Sequence, residues 1–308
     1  MKHQLWTICY STALIAFSAF FLLNTFVLRE SYDSNATEIN TAAFSALPDE
    51  GDAAQSLSAI DTDAEAAADE VSVTLTEYYE NNTKIYVADV VLSSAAYLKT
   101  AFAEDTYGRN VTATTSAIAQ ANDALLAING DYYGVQEKGY VIRNGVVYRS
   151  SARGTDVLCI YADGTMEIVN DRDTSAEELV QRGVWQAFCF GPALVKDGAV
   201  SVGVGDEVGK AMTRNPRTAI GIIDTNHFVF VVSDGRTSES EGLSLYELAE
   251  FMQRLGVRTA YNLDGGGSST MYYNGQVVNK PTSNGRIKER GVSDIVYIAM
   301  SASPSSAV

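Results

Sequence analysis

Two apolar runs, Arg217 to Asp224 and His227 to Asp234, flank the dipeptide Thr225-Asn226, and no other stretch limits the fold so tightly. A two-residue connection of this kind makes an antiparallel hairpin. Counting outward from Asp224 and His227, the pairing sets Arg217 opposite Asp234. Opposed residues share a face, so the guanidinium and the carboxylate can meet. That register puts Ile220, Ile222, Val229 and Val231 on one face and Ile223, Phe228, Phe230 and Val232 on the other. Both faces are apolar, which predicts a hairpin covered on two sides.

The next stretch, Leu245 to Leu255, reads as a helix. Ser244 is its N-cap, Glu247 completes a capping box and Gly256 stops it. Strand, helix and strand in succession make the Val257 to Leu263 strand parallel to the 228 to 233 strand, with a right-handed crossover. Asp264 then emerges at the same sheet edge as Arg217 and Asp234, where such sheets bind ligands.

Asp264 opens the run Gly265-Gly266-Gly267-Ser268-Ser269-Thr270. Three consecutive glycines cost unfolded-state entropy, and they belong where the backbone needs φ > 0 or a close approach to a ligand. Their N–H groups can form a concave anion site, with hydroxyls as further donors. The same residues would also serve a tight strand-to-strand turn. Upstream, the apolar strand Ala124 to Ile128 ends in Asn129-Gly130-Asp131-Tyr132-Tyr133. If it is parallel to the others, Asn129 and Asp131 join the cluster. Tyr132 and Tyr133 offer rings either to a sugar or to the core.

The remainder of the region from residue 71 is divided into short strands by turn signals, among them Asn144-Gly145 and Asp163-Gly164. Short helices are expected at Thr115 to Ala121 and after Ser175, where Glu178 completes a capping box. Val200 to Asn215 has no periodicity and reads either as a mobile loop over the site or as an ordinary surface excursion. The expected class is α+β: a central mixed sheet with antiparallel hairpins and few helices, preceded by one transmembrane helix and a disordered linker.

Charge supports that division. The formal charge of −16 argues against a nucleic-acid partner. Residues 31 to 70 hold ten Asp and Glu and no Lys or Arg, with little to bury, and are expected to form an acidic disordered linker. Residues 5 to 28 carry no charged side chain, a length above the roughly 20 residues that cross a bilayer. The expected organisation is a membrane anchor in 1–30, the linker in 31–70 and an enzyme domain in 71–308. Lys2 would lie inside, making the protein single-pass with its domain at the extracytoplasmic cell surface.

The inventory of side chains narrows the chemistry. From residue 71 onward there is one histidine, His227, at the turn end of the hairpin and about 24 Å from Asp234 at ~3.4 Å per residue. That distance argues against a Ser-His-Asp or Cys-His mechanism, and no Cys/His spacing suits zinc. Cys159 and Cys189 lie in apolar strands, where a disulfide and two buried thiols are both permitted. Carboxylates, Arg, Asn and hydroxyls remain, which suit acid/base or nucleophilic work at an anomeric carbon beside a held phosphate. Asp234 could instead serve only to anchor Arg217. Asp and Asn oxygens would allow a calcium ion, but neither a metal nor a cofactor is expected.

Taken in order, Asn129-Gly130-Asp131-Tyr132-Tyr133, Arg217-Thr218-Ala219-Ile220-Gly221, Asp234-Gly235-Arg236, Asn262-Leu263-Asp264-Gly265-Gly266-Gly267-Ser268-Ser269 and Arg290-Gly291-Val292 resemble the phosphodiester glycosidase family. That family includes bacterial proteins of the exopolysaccharide-biosynthesis type. The resemblance implies hydrolysis of a sugar-1-phosphodiester, here a glycan of the cell envelope, to sugar and phosphomonoester. It implies Asp264, Asp131 and Asp234 as catalytic candidates. The substrate-binding candidates are Asn129, Arg217, Thr218, Arg236, Asn262, Gly265, Gly266, Gly267, Ser268, Ser269 and Arg290. The competing expectation is a glycan-binding or exopolysaccharide-assembly protein that uses the same pocket without turnover.

Overall fold

The computed structural model describes residues 2–26, 28–32, 70–208 and 214–299. The acidic linker lies, from 33 to 69, outside the described residues. Helix α1 (Lys2–Phe26) covers residues 5–26 of the uncharged segment. Among the described residues, no helix is long and apolar enough to cross a membrane. The chain leaving α1 docks on the domain: Glu30 and Ser31 pair with Arg109 and Gly108, and Arg29 meets Glu104 at 2.7 Å.

The centre is a seven-stranded sheet in the order Ala199–Val200, Ala193–Lys196, Thr259–Asn262, Arg217–Asp224, His227–Ser233, Thr83–Leu92, Val71–Glu80. Two five-stranded sheets pack against it. One includes Met271–Tyr273, Ala124–Asn129, Asp294–Ala299 and Leu98–Phe102, and the other includes Asp156–Tyr161, Val184–Phe188 and Val141–Arg143. Among the described residues the α-helices beyond α1 are the short α2 (Thr115–Ala121), α3 (Ala176–Gln181) and α4 (Leu245–Arg254). Both expected capping boxes, Ser175/Glu178 and Ser244/Glu247, are formed.

The expected mixed sheet is corrected. The 227–233 and 259–262 strands do run parallel, but Arg217–Asp224 lies between them and pairs antiparallel with both. The ladders of all three large sheets are antiparallel. Placing α4 as a crossover gave the strand direction; the inserted neighbour turns a parallel pair into two antiparallel ones.

The hairpin register is corrected as well. Asp224 pairs with His227 as expected, but the register shifts between Ile222 and Asp224, so that Ile222 faces Phe228 and Arg217 faces Ser233 rather than Asp234. A one-residue slip exchanges the faces of one strand relative to its partner. Ile220, Ile222, Phe228, Phe230 and Val232 therefore share the inner core with Leu126, Ile128, Leu158 and Phe188. Ala219, Val229 and Val231 face the other way, onto Leu245, Leu248 and Met252 of α4. The hairpin is covered on both sides.

Candidate active site

Asn129 ends the Ala124–Asn129 strand, fully buried. Its Nδ2 donates to the Asp264 carbonyl at 2.6 Å, and its Oδ1 accepts from Thr218 Oγ1 at 2.8 Å. Asn129 thus fastens one five-stranded sheet to the central one and fixes the backbone of Asp264. Thr218 is fully buried in the same fastening. Both residues position the site from behind.

The glycines that follow fill tight quarters. A Cβ on Gly265 would lie 2.9 Å from the Pro216 carbonyl oxygen; Gly266 has φ +62, and a Cβ there would lie 2.8 Å from Arg236 Nη2. The chain turns back through Gly266–Ser268. Ser268 Oγ then donates to Asp264 Oδ2 at 2.6 Å, and Arg290 Nη2 donates to the same oxygen at 2.6 Å. Among the described residues Asp264 Oδ1 takes no protein donor. Burial raises the Asp264 carboxyl above its ordinary range, while Arg290 and Ser268 pull it down.

Three guanidinium groups converge here. Arg217, Arg236 and Arg290 line one cleft of about 290 Å³ together with Asn262, Asp264, Gly265 and Gly266. Arg217 is oriented by the Leu243 carbonyl at 2.8 Å and by Glu207 at 2.6 Å. Arg236 donates from Nε and Nη2 to the neutral Asn215 carboxamide, at 3.2 and 2.9 Å. Desolvation, then Arg290 and Arg217, push the Arg236 pKa down. Three guanidinium groups around one opening, two of them paired with Glu207 and Asp264, can hold an anion.

Two of the three carboxylate candidates stay out of the cleft lining. Asp234, at the end of its strand, accepts from the Lys280 N–H at 2.8 Å and from Asn279 at 3.3 Å, so the expected Arg217–Asp234 pair does not form. Arg217 turns to Glu207 instead, because the hairpin bulge shifts its register. Asp131 accepts from Arg143 at 3.0 Å, from the Cys189 N–H at 3.1 Å and from the Tyr133 N–H at 3.2 Å. Ser269 and Gly267 are buried behind the loop, while Tyr132, 39% exposed, lines the cleft. Tyr133, 3% exposed, is core.

Sequence reading missed the group beneath. Arg143, 1% exposed, binds Asp294 at 2.8 Å as well as Asp131. A lone carboxylate heading an apolar strand and a lone arginine between Ile142 and an Asn-Gly turn were the available signals. Also missed were Gln136 and Phe190 in the cleft lining, the second signalled by the strand break at Gly191-Pro192, whereas Val208 and Asn215 of the lining belong to the Val200 to Asn215 stretch expected as a loop there. Among the described residues no group of three or more His, Cys, Asp or Glu is placed to hold a metal. Cys159 and Cys189 are separate buried thiols.

Burial raises the Asp294 carboxyl to about 7, with Arg143 opposing and Asp131 and Asp264 adding to the rise. An acid raised in the folded state holds an extra proton there. Its stabilisation is full below its unfolded pKa near 4 and is lost as pH rises through about 7. Asp264 and Asp234, also raised by burial, act in the same direction. The midpoint of urea unfolding should therefore fall between pH 5 and pH 8, and Asp294→Asn should flatten that slope. An equally steep slope in the variant would remove Asp294 as its source.

Residues 122–299, more than half of the chain, match the family model described as phosphodiester glycosidase. The SPbeta prophage-derived protein YomE of Bacillus subtilis (strain 168) is 29% identical over 199 residues, covering 63% of this chain and 30% of that protein. Human N-acetylglucosamine-1-phosphodiester alpha-N-acetylglucosaminidase is 28% identical over 196 residues, covering 56% and 36%. The chain thus spans about a third of the length of these relatives. Among solved structures, the zebrafish N-acetylglucosamine-1-phosphodiester alpha-N-acetylglucosaminidase catalytic domain, auto-inhibited by its pro-peptide, superposes with a TM-score of 0.59 at 20% identity, covering 77% of this chain and 85% of that one. A hypothetical protein from Synechocystis gives 0.57 at 15% identity, covering 74% and 62%. Those likenesses show the fold, and with the family match they establish that the chain belongs to the phosphodiester glycosidase family.

Proposed function

We propose that the protein hydrolyses a glycosyl-1-phosphodiester to free sugar and a phosphomonoester. The observation that carries this is the convergence of Arg217, Arg236 and Arg290 with the Asp264 carboxylate on one cleft. A phosphomonoester leaves as a stable anion once guanidinium groups hold its charge, so the leaving oxygen does not depend on a second carboxylic acid. What remains is to activate water. Water attacks the anomeric carbon and its proton passes to Asp264; the C1–O bond breaks and its electron pair leaves on the phosphate oxygen. The Ser268 and Arg290 hydrogen bonds hold Asp264 Oδ2 in place during the transfer.

An extracytoplasmic place at the cell envelope is part of the proposal. It rests on the uncharged run of residues 5 to 28 and on no structural measurement. A panel of sugar-1-phosphodiesters, N-acetylglucosamine-1-phosphodiesters among them, assayed for free sugar is the test. Saturable binding without product would leave the glycan-binding alternative. Inorganic phosphate should inhibit competitively. Arg236→Ala should weaken that inhibition about 10- to 100-fold, the loss expected for a hydrogen bond to a charged group. An unchanged inhibition constant would take Arg236 out of the phosphate site.

A further inference from the structure

Asn262 ends the Thr259–Asn262 strand, is 1% exposed and lines the cleft. Its backbone N–H donates to the Pro192 carbonyl at 3.1 Å, its carbonyl accepts from the Gly191 N–H at 3.2 Å, and its Nδ2 donates to the Gly191 carbonyl at 2.8 Å. A carbonyl can only accept, so this clamp fixes which end of the carboxamide faces Gly191. The other end, Oδ1, is buried and has no protein donor. An acceptor left that way costs about 1–3 kcal/mol, and folded proteins tolerate few of them.

The charge of the cleft identifies the missing donor. A phosphodiester carries acceptors and no donor at neutral pH, so its oxygens repel Asn262 Oδ1 and belong with the three arginines. The group that meets Oδ1 must bear an O–H or N–H, and in a glycosyl phosphodiester the sugar supplies those. Phe190, next to the clamping Gly191, lines the same cleft and offers an apolar ring to a sugar face.

We infer that Asn262 determines specificity by accepting, through its clamped Oδ1, a hydrogen bond from one hydroxyl or acylamino N–H of the bound sugar. The inference rests on reading the cleft as a glycosyl-phosphate site. A site built around a buried acceptor rejects a ligand that lacks the matching donor, because the acceptor is then left unpaired.

The test is binding rather than turnover. Hexose-1-phosphates and 2-acetamido-hexose-1-phosphates, each with a set of analogues lacking one donor, are titrated calorimetrically into the full-length protein and into Asn262→Ala. One deletion should weaken binding to the wild type by about 10- to 100-fold, and that difference should vanish in Asn262→Ala. An analogue carrying fluorine in place of that donor can accept but not donate, and it should bind the wild type as weakly as the deleted analogue, which decides the matter if the alanine variant does not fold. Discrimination that survives in Asn262→Ala, a fluorine analogue that binds as well as the parent sugar, or discrimination absent from the wild type overturns the inference. Donor discrimination without sugar release would overturn hydrolysis and leave the role of Asn262. Sugar release with no donor coupled to Asn262 would overturn this role alone, and binding of no sugar phosphate at all would overturn both.

Discussion

Asp264→Asn is expected to lower kcat on a sugar-1-phosphodiester by about 10²- to 10⁴-fold, the range associated with a positioned acid or base. Asparagine keeps an oxygen that can accept from Ser268 and Arg290, so the loop and the three arginines stay in place. KM and inhibition by phosphate should therefore change far less than kcat. Thermal unfolding should shift by no more than a few degrees, roughly 1 kcal/mol for a domain of this size. Parallel loss of kcat and of phosphate binding would mean that the substitution had collapsed the site, and unchanged kcat would remove Asp264 from the chemistry.

The largest effect on stability is expected at Arg143. Its guanidinium touches Asp294 and Asp131, and all three side chains are nearly inaccessible to solvent. It also stacks over Phe188 at 4.3 Å. Burial works against its charge, but the two carboxylates more than offset this and hold its pKa above the usual value. Arg143→Met keeps most of the volume and strands two carboxylates in the core, which should cost about 3–5 kcal/mol. The loss should be larger at pH 8 than at pH 5, because Asp294, raised to about 7, carries a proton at the lower pH. Adding Asp294→Asn to Arg143→Met should recover part of it, since Asp131 keeps the Cys189 and Tyr133 N–H donors. Urea unfolding of the two single variants and the double variant at both pH values measures the coupling.

Stability here bears on the site. Gly130 N–H donates to the Asp294 carbonyl at 3.0 Å, and the Gly130 carbonyl accepts from the Asp264 N–H at 3.3 Å. The buried charge group therefore supports the backbone of the carboxylate above it. Asp131, expected as a catalytic candidate, is a member of that group through its pairing with Arg143.

Local signals told most about the strand edge. Ser244 and Glu247 marked α4, and the helix between two strands gave their common direction, so Arg217, Asn262 and Asp264 were correctly gathered at one end. The bulge beside Ile223 has no local signature, because Ile222, Ile223 and Asp224 suit a regular strand equally well. A single extra residue was enough to replace the Arg217–Asp234 pair with Arg217–Glu207. Asn129 joined the site from a different sheet, since its amide satisfies the Asp264 carbonyl across the gap. The Arg143 group was illegible because its three members lie 12 and 151 residues apart, and only the packing of two sheets brings them together.

In the proposed reaction the bond between the anomeric carbon and oxygen breaks, with the arginines holding the departing phosphate. Hydrolysis of a sugar-1-phosphodiester in H₂¹⁸O tests it most directly, followed by ³¹P spectroscopy of the phosphomonoester. Attack of water at carbon predicts a phosphomonoester free of ¹⁸O. Incorporation of ¹⁸O into the phosphate would place the attack at phosphorus and contradict the account.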